Sequence, residues 1–150
     1  MRDIISGSNS TIAIMNDLFD KEAIKRVTFL GSVPYQEIKK HIQEAAICIF
    51  PSFAEALPVS WIEAMAMKKP IVASNIGWAS EIIDDEIDGF LENPKNHNSF
   101  ALKMISLLKN NDLKQQIGVA ARKKIISKFS TQVVANQHIE FYNKIIENEF

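Results

Sequence analysis

Three observations predict an α/β fold built on a doubly wound parallel sheet. Short β-branched runs and amphipathic stretches alternate four times within about 90 residues, the order that βαβ units produce. The chain has 150 residues and is 47% hydrophobic, enough for a core without disulfide or metal staples. No repeat, low-complexity tract or Pro/Gly-rich linker interrupts it, so one domain over residues 1–150 is expected.

The elements follow in order. Candidate strands are Asp3–Ser6 (DIIS), Val27–Leu30 (VTFL), Ile47–Phe50 (ICIF), Pro70–Ser74 (PIVAS) and Gly89–Glu92 (GFLE), each a short run bounded by turn residues. Helices are expected at Ser10–Phe19, Tyr35–Ala45, Pro58–Met67 and Ala79–Ile83. A loop spans Asn93–Asn98, and only helical periodicity follows it. Phe100, Met104, Leu107 and Leu108, then Leu113, Ile117, Ala120 and Ile125, then Val134, Phe141 and Ile145 mark three closing helices. Ser130 and Thr131 supply the last N-cap.

Composition excludes several functions. Seventeen basic against 18 acidic residues give no field that gathers a polyanion, which argues against nucleic acid as partner. Cys48 lies in the apolar run AICIF and reads as a small buried hydrophobe rather than a nucleophile. His41, His97 and His138 have no metal-ligand spacing. No apolar run approaches the roughly 18 residues of a membrane span, and the amino terminus lacks the long apolar core of a signal peptide. A cytoplasmic protein is expected, with room for peripheral contact at the inner face of the membrane.

Doubly wound sheets bind ligands beyond the carboxyl ends of their strands, which directs attention to the loops GSNS, GSVP, PSFAEA and NIGW. The third leads into PVSWIEAMAM. Pro58 suits the first helical position, since its missing N–H would have no intrahelical partner there. Leu57 then becomes an N-cap with no side-chain oxygen, and the amides of Val59 and Ser60 need another acceptor. A phosphate would satisfy both their hydrogen bonds and the positive end of the helix dipole. Water, or Glu55 folding back as a cap, would also serve. Glu63 follows five residues after Pro58, roughly 7.5 Å along the axis. Because that helix is apolar on nearly every side, a carboxylate there calls for hydrogen-bond donors.

VTFLGSVP, AAICIFPSFAEALPVSWIEAMAMKKPIVASNIGWASEII and DGFLENP, in that order and spacing, resemble the carboxyl-terminal, donor-binding domain of the retaining GT-B glycosyltransferases of family 4. The resemblance runs from Val27 to about Tyr142 and implies a Rossmann-like domain forming one half of a two-domain enzyme. Glu55 and Glu63 match the family's E-x7-E signature. By that resemblance Glu55 is the catalytic glutamate, touching hydroxyls of the transferred sugar, and Glu63 holds the ribose of the nucleotide. Ser52, Ala56, Leu57, Val59 and Ser60 join the donor site, their loop receiving the diphosphate. Gly31, Ser32 and Val33 border the base. The implied substrate is a nucleotide-diphospho-sugar; no cofactor or metal is required. The implied partner is an amino-terminal acceptor domain, in cis or in trans.

Two other classes compete. One is a non-catalytic nucleotide-sugar binding or assembly subunit. The other is an epimerase or phosphorylase of related fold, for which a histidine in the crevice loops would have spoken. The sequence also departs from the family. Lys68 stands where a glycine usually ends the motif helix, so a different helix end is expected. Ala56 and Trp78 replace glycines near the crevice, narrowing donor choice or degrading the site. The family's first donor-domain strand with its phosphate-binding Arg and Lys has no match, and SGSNS (Ser6–Ser10) carries at most a weak ligand role or a helix cap. Glu81 matches a frequent family glutamate but suits a helix-terminal charge equally. Arg122–Lys124 (RKK) reads as a solvated helix face, less readily as a contact with acidic lipid.

Overall fold

The computed structural model describes residues 11–147. The expected strand at Asp3–Ser6 and the SGSNS loop lie outside them. The described chain falls into two units that divide between Pro34 and Tyr35.

The first unit contains helix α1 (Thr11–Leu18) and a 3-10 turn at Ile24–Arg26. The Asp20 carboxylate initiates that turn by accepting from the amides of Ala23 and Glu22 at 2.7 and 2.8 Å, which lowers its pKa. The expected strand at Val27–Leu30 does not form. Val27 is extended, at φ −99° and ψ 129°, as a β-branched residue prefers. An extended segment becomes a strand only when a neighbour takes its ladder bonds, and no described residue pairs with it.

The second unit holds a parallel sheet of three strands in the order β1 (Cys48–Phe50), β2 (Ile71–Ser74), β3 (Phe90–Glu92). Cys48 sits opposite Ile71, and Val72 opposite Phe90. Helix α2 (Tyr35–Glu44) precedes β1, α3 (Val59–Ala66) joins β1 to β2, and α4 (Ala79–Ile82) lies between β2 and β3. Helices α5 (His97–Lys109), α6 (Asn111–Phe129) and α7 (Thr131–Ile146) follow.

Strand β2 is buried throughout, and its two-residue period divides the core. Ile71 and Ala73 face Trp61 and Met65 of α3 and Ile82 of α4. Val72 faces the other way, toward Phe100 and Leu107 of α5. Helix α6 serves both clusters, sending Ile117 to the second and Ala121 and Ile125 to the first. Helices therefore cover both faces of the sheet, the doubly wound arrangement that the alternation predicts.

The helix ends show local chemistry. Asn96 and Asn110 cap α5 and α6, accepting from the amides of Ser99 and Leu113 at 3.1 and 3.0 Å, so the loop after β3 is shorter than expected and α5 starts at His97. Ser130 occupies the N-cap of α7, but its side chain makes no capping bond. At the end of α3 the Lys68 amide donates to Met65 O and the Lys69 amide to Ala64 O, both at 3.0 Å. This is the paired-bond ending that places the next residue in the left-handed region, and Lys68 sits there at φ +59°. The expectation of a different ending is corrected: a lysine holds the conformation in which glycine is cheapest.

In the RKK segment Arg122 and Lys123 are exposed, as a solvated face requires, and Lys124 alone turns inward. Arg122 donates to Ala66 O at the end of α3. Lys124 is buried, its Nζ 2.8 Å from Asp84 Oδ1 and 3.5 Å from Asp88 Oδ2, in ionic contacts rather than directed hydrogen bonds.

Candidate functional site

Strand β1 ends at Phe50, and the loop through Pro58 carries the chain to α3 at the carboxyl edge of the sheet. Pro58 is the N-cap, at φ −76° and ψ 91°, and Val59 the first helical residue. The sequence reading that put Pro58 inside the helix and Leu57 at the cap is thus off by one. The consequence for the backbone is unchanged, because proline offers no side-chain oxygen either and no cap bond forms. The Trp61 amide closes a tight turn onto Pro58 O at 3.0 Å. The amides of Val59 and Ser60 precede that bond at the positive end of α3, and both residues are exposed.

Glu55 does not fold back onto those amides. Ser52 Oγ donates to Glu55 Oε1 at 2.7 Å, holding the exposed carboxylate within its own loop. The next crevice loop comes close: Gly77 adopts φ +50°, and a Cβ there would lie 3.2 Å from the Glu55 carbonyl oxygen. Beyond it, Trp78 is 66% exposed. With Ala56, Leu57, Glu81, Ile82 and Phe129 it lines a cavity of about 400 Å³. Glu81 therefore borders the loop that carries Glu55.

Glu63 is half-buried on α3 and opens elsewhere, into a groove of about 470 Å³ between α2 and α3. There it accepts a hydrogen bond from the hydroxyl of Tyr35. That bond, and the negative charge behind it, raise the pKa of the phenol, which stays protonated at neutral pH. The sequence reading missed Tyr35, since no spacing rule joins residues 28 apart. Its one signal is an aromatic residue at a helix start directly after the GSVP loop.

The two carboxylates thus flank the N-terminus of α3, Glu55 in the loop before it and Glu63 along its length. Gly31, Ser32 and Val33 belong to the first unit, where Gly31 takes φ +68°. Among the described residues no cluster of three or more His, Cys, Asp or Glu is placed to hold a metal ion. No described helix is long and apolar enough to cross a membrane. Burial pushes the Cys48 thiol up in pKa, so it stays a neutral, weakly reactive group.

The pattern of the glycosyl transferases group 1 family matches residues 4–124. The chain belongs to that family. A glycosyltransferase of Methanocaldococcus jannaschii, itself uncharacterised, is 30% identical over 145 residues, covering 96% of this chain and 37% of its own length. TarM from S. aureus, in a complex with fondaparinux, alpha-GlcNAc-glycerol and UDP, superposes with TM-score 0.77 at 28% identity, over 89% of this chain and 27% of that one. The C-terminal domain of the group 1 glycosyl transferase LpcC from Francisella tularensis shares the fold, with TM-score 0.70 at 24% identity over 80% of this chain and 64% of that one. This group 1 chain spans little more than a third of the first of these relatives. The resemblance to a carboxyl-terminal GT-B domain, read from the E-x7-E segment, holds at the level of family and fold.

Proposed function

We propose that this chain is the donor-binding half of a retaining glycosyltransferase that uses a nucleotide-diphospho-sugar. The observation that carries the reading is the uncapped N-terminus of α3, with the amides of Val59 and Ser60 set between Glu55 and Glu63. A diphosphate there takes hydrogen bonds that no side chain supplies, at the positive end of a helix. A relative at 28% identity that was crystallised with UDP supports a nucleoside diphosphate as the ligand class.

Each side chain then has a role. Glu63 accepts from ribose hydroxyls. Glu55, steadied by Ser52, accepts from hydroxyls of the sugar as positive charge builds on its anomeric carbon. The loop at Ala56 and Leu57 and the amides of Val59 and Ser60 stabilise the negative charge that gathers on the departing diphosphate, so no metal is needed for that purpose. The bond from anomeric carbon to phosphate oxygen breaks while that from anomeric carbon to acceptor oxygen forms on the same face. The acceptor's proton passes to the leaving diphosphate. Gly31, Ser32 and Val33 border the base. Positioning the acceptor falls to a second domain, in cis or in trans, and orienting two reactants is worth several kcal/mol.

Thermal denaturation with UDP, GDP and ADP and their sugar conjugates tests the reading. One nucleotide at about 100 times its Kd should add roughly 2.7 kcal/mol of stability. Glu63→Ala should remove most of that gain while leaving the ligand-free midpoint unchanged, since Glu63 is outside both core clusters. Equal gains in the folded variant and wild type would overturn the role of Glu63, and no gain with any nucleotide would overturn the donor-site reading.

A further inference from the structure

Tyr35 has no part in the roles above, yet it is the one described residue whose side chain bonds Glu63. It stands at the start of α2 and is 71% exposed as a residue, so its hydroxyl is not spent on packing. Its ring heads the α2–α3 groove, whose walls are Ile38 and Ile42 on one side and Ala66 and Met67 on the other. Glu63 is the one carboxylate lining that groove.

A glutamate side chain has three rotatable bonds, and a half-buried one on an apolar helix still samples several rotamers. A hydrogen bond from a phenol to one carboxylate oxygen selects one of them before any ligand arrives. A carboxylate has about four acceptor directions, and Tyr35 uses one at Oε1. Oε2 and the remaining lone pair of Oε1 stay open for a pair of neighbouring hydroxyls. The raised pKa of the phenol keeps the donor protonated at neutral pH.

From this geometry, and resting on the donor-site reading, we infer that Tyr35 is a positioning residue: its hydroxyl presets Glu63 to accept the vicinal hydroxyls of a nucleotide ribose.

The test compares wild type, Tyr35→Phe, Glu63→Gln and the double variant by calorimetric titration. Each is titrated with the nucleoside diphosphate that binds wild type most tightly and with its 2′,3′-dideoxy counterpart. Tyr35→Phe keeps the ring and should weaken the ribonucleotide roughly fivefold to tenfold, the net value of one ordinary solvent-exposed hydrogen bond. It should leave affinity for the dideoxy compound within about twofold, because without hydroxyls there is nothing for an oriented carboxylate to accept. In the Glu63→Gln background the tyrosine substitution should add little further loss. An unchanged ribonucleotide Kd in Tyr35→Phe, equal loss for both ligands, or full additivity in the double variant would each overturn the inference while leaving the donor-site reading intact. A ligand-free midpoint that falls in step with affinity would reduce Tyr35 to a tether between α2 and α3. Failure of wild type to bind any nucleoside diphosphate overturns both readings.

Discussion

Lys68 holds a backbone conformation that costs an L-residue on the order of 1 kcal/mol relative to glycine, and it does so because the two bonds ending α3 require it. Lys68→Gly should therefore stabilise the protein by about 0.5–1 kcal/mol in urea denaturation, less the entropy glycine returns to the unfolded chain. A loss of stability would mean that the lysine side chain does work the backbone does not show. Lys124 presents the opposite case, a buried cation between two aspartates. Burial raises the pKa of Asp88 above its ordinary 3.8, opposed by the Asp84 amide and Lys124. Folded Asp88 thus holds its proton to higher pH than the unfolded chain does, and the stability this confers is lost as pH rises through the folded value. Asp84 runs the other way: Lys124 lowers its pKa, and its contribution disappears as pH falls below 3.8. Lys124→Met removes one force opposing the rise at Asp88. The variant should lose roughly 3 kcal/mol at pH 8, where a buried carboxylate is left without its cation, and distinctly less at an acid pH where Asp88 is protonated. Equal losses at the two pH values would refute the pairing.

Helix α6 contains a glycine in its middle, which propensity alone counts as a weakness of about 1 kcal/mol. Gly118 is buried, and a Cβ there would lie 2.3 Å from the carbonyl oxygen of Lys68, closer than any real side chain approaches. The turn that ends α3 rests directly on α6, with Arg122 donating to Ala66 O nearby. Gly118→Ala should therefore destabilise by roughly 2 kcal/mol or more despite the gain in helix propensity, because backbone has to move. Stabilisation in the same urea assay would show that the two helices have slack. The N-terminus of α3 was legible in outline from Pro58 and an apolar run, since capping depends on adjacent residues. Its register was not, because a proline in the extended region serves as N-cap as readily as at the first helical position. At Val27–Leu30 the local preference was read correctly and the element was not, because a strand needs a partner that no local pattern supplies.

Every buried apolar residue of the two core clusters lies between Trp61 and Ile125, and the partly buried ones packed on them span Ile42 to Phe129. The second unit therefore owns both faces of its sheet. A chain beginning at Tyr35 should retain a single cooperative unfolding transition within a few degrees of the parent, followed by circular dichroism. A broad transition, or a loss of more than about 10 °C, would show that the first unit is part of the cooperative fold. The same shortened chain lacks Gly31, Ser32 and Val33 but keeps Glu55, Glu63 and Tyr35, so its nucleotide affinity tests the base-bordering role proposed for those three residues.

What the sequence alone determined is what neighbouring residues dictate. The alternation of runs produced a doubly wound parallel sheet, the closing periodicity produced three helices, and the E-x7-E segment placed Glu55 and Glu63 around an uncapped helix start. Each depends on spacings of a few residues, where propensity, capping and the helical and strand periods act directly. What the tertiary structure decided are the pairings across distance: Tyr35 with Glu63, Lys124 with Asp84 and Asp88, Gly118 beneath Lys68, and Trp78 beside Ala56 and Leu57. Those partners are separated in sequence by helices and crossovers, and side chains from different elements meet only where packed cores bring the elements together. For that reason Lys124 reads in the sequence as part of a solvated face, and for the same reason the hydrogen bond from Tyr35 to Glu63 came to light only in the fold.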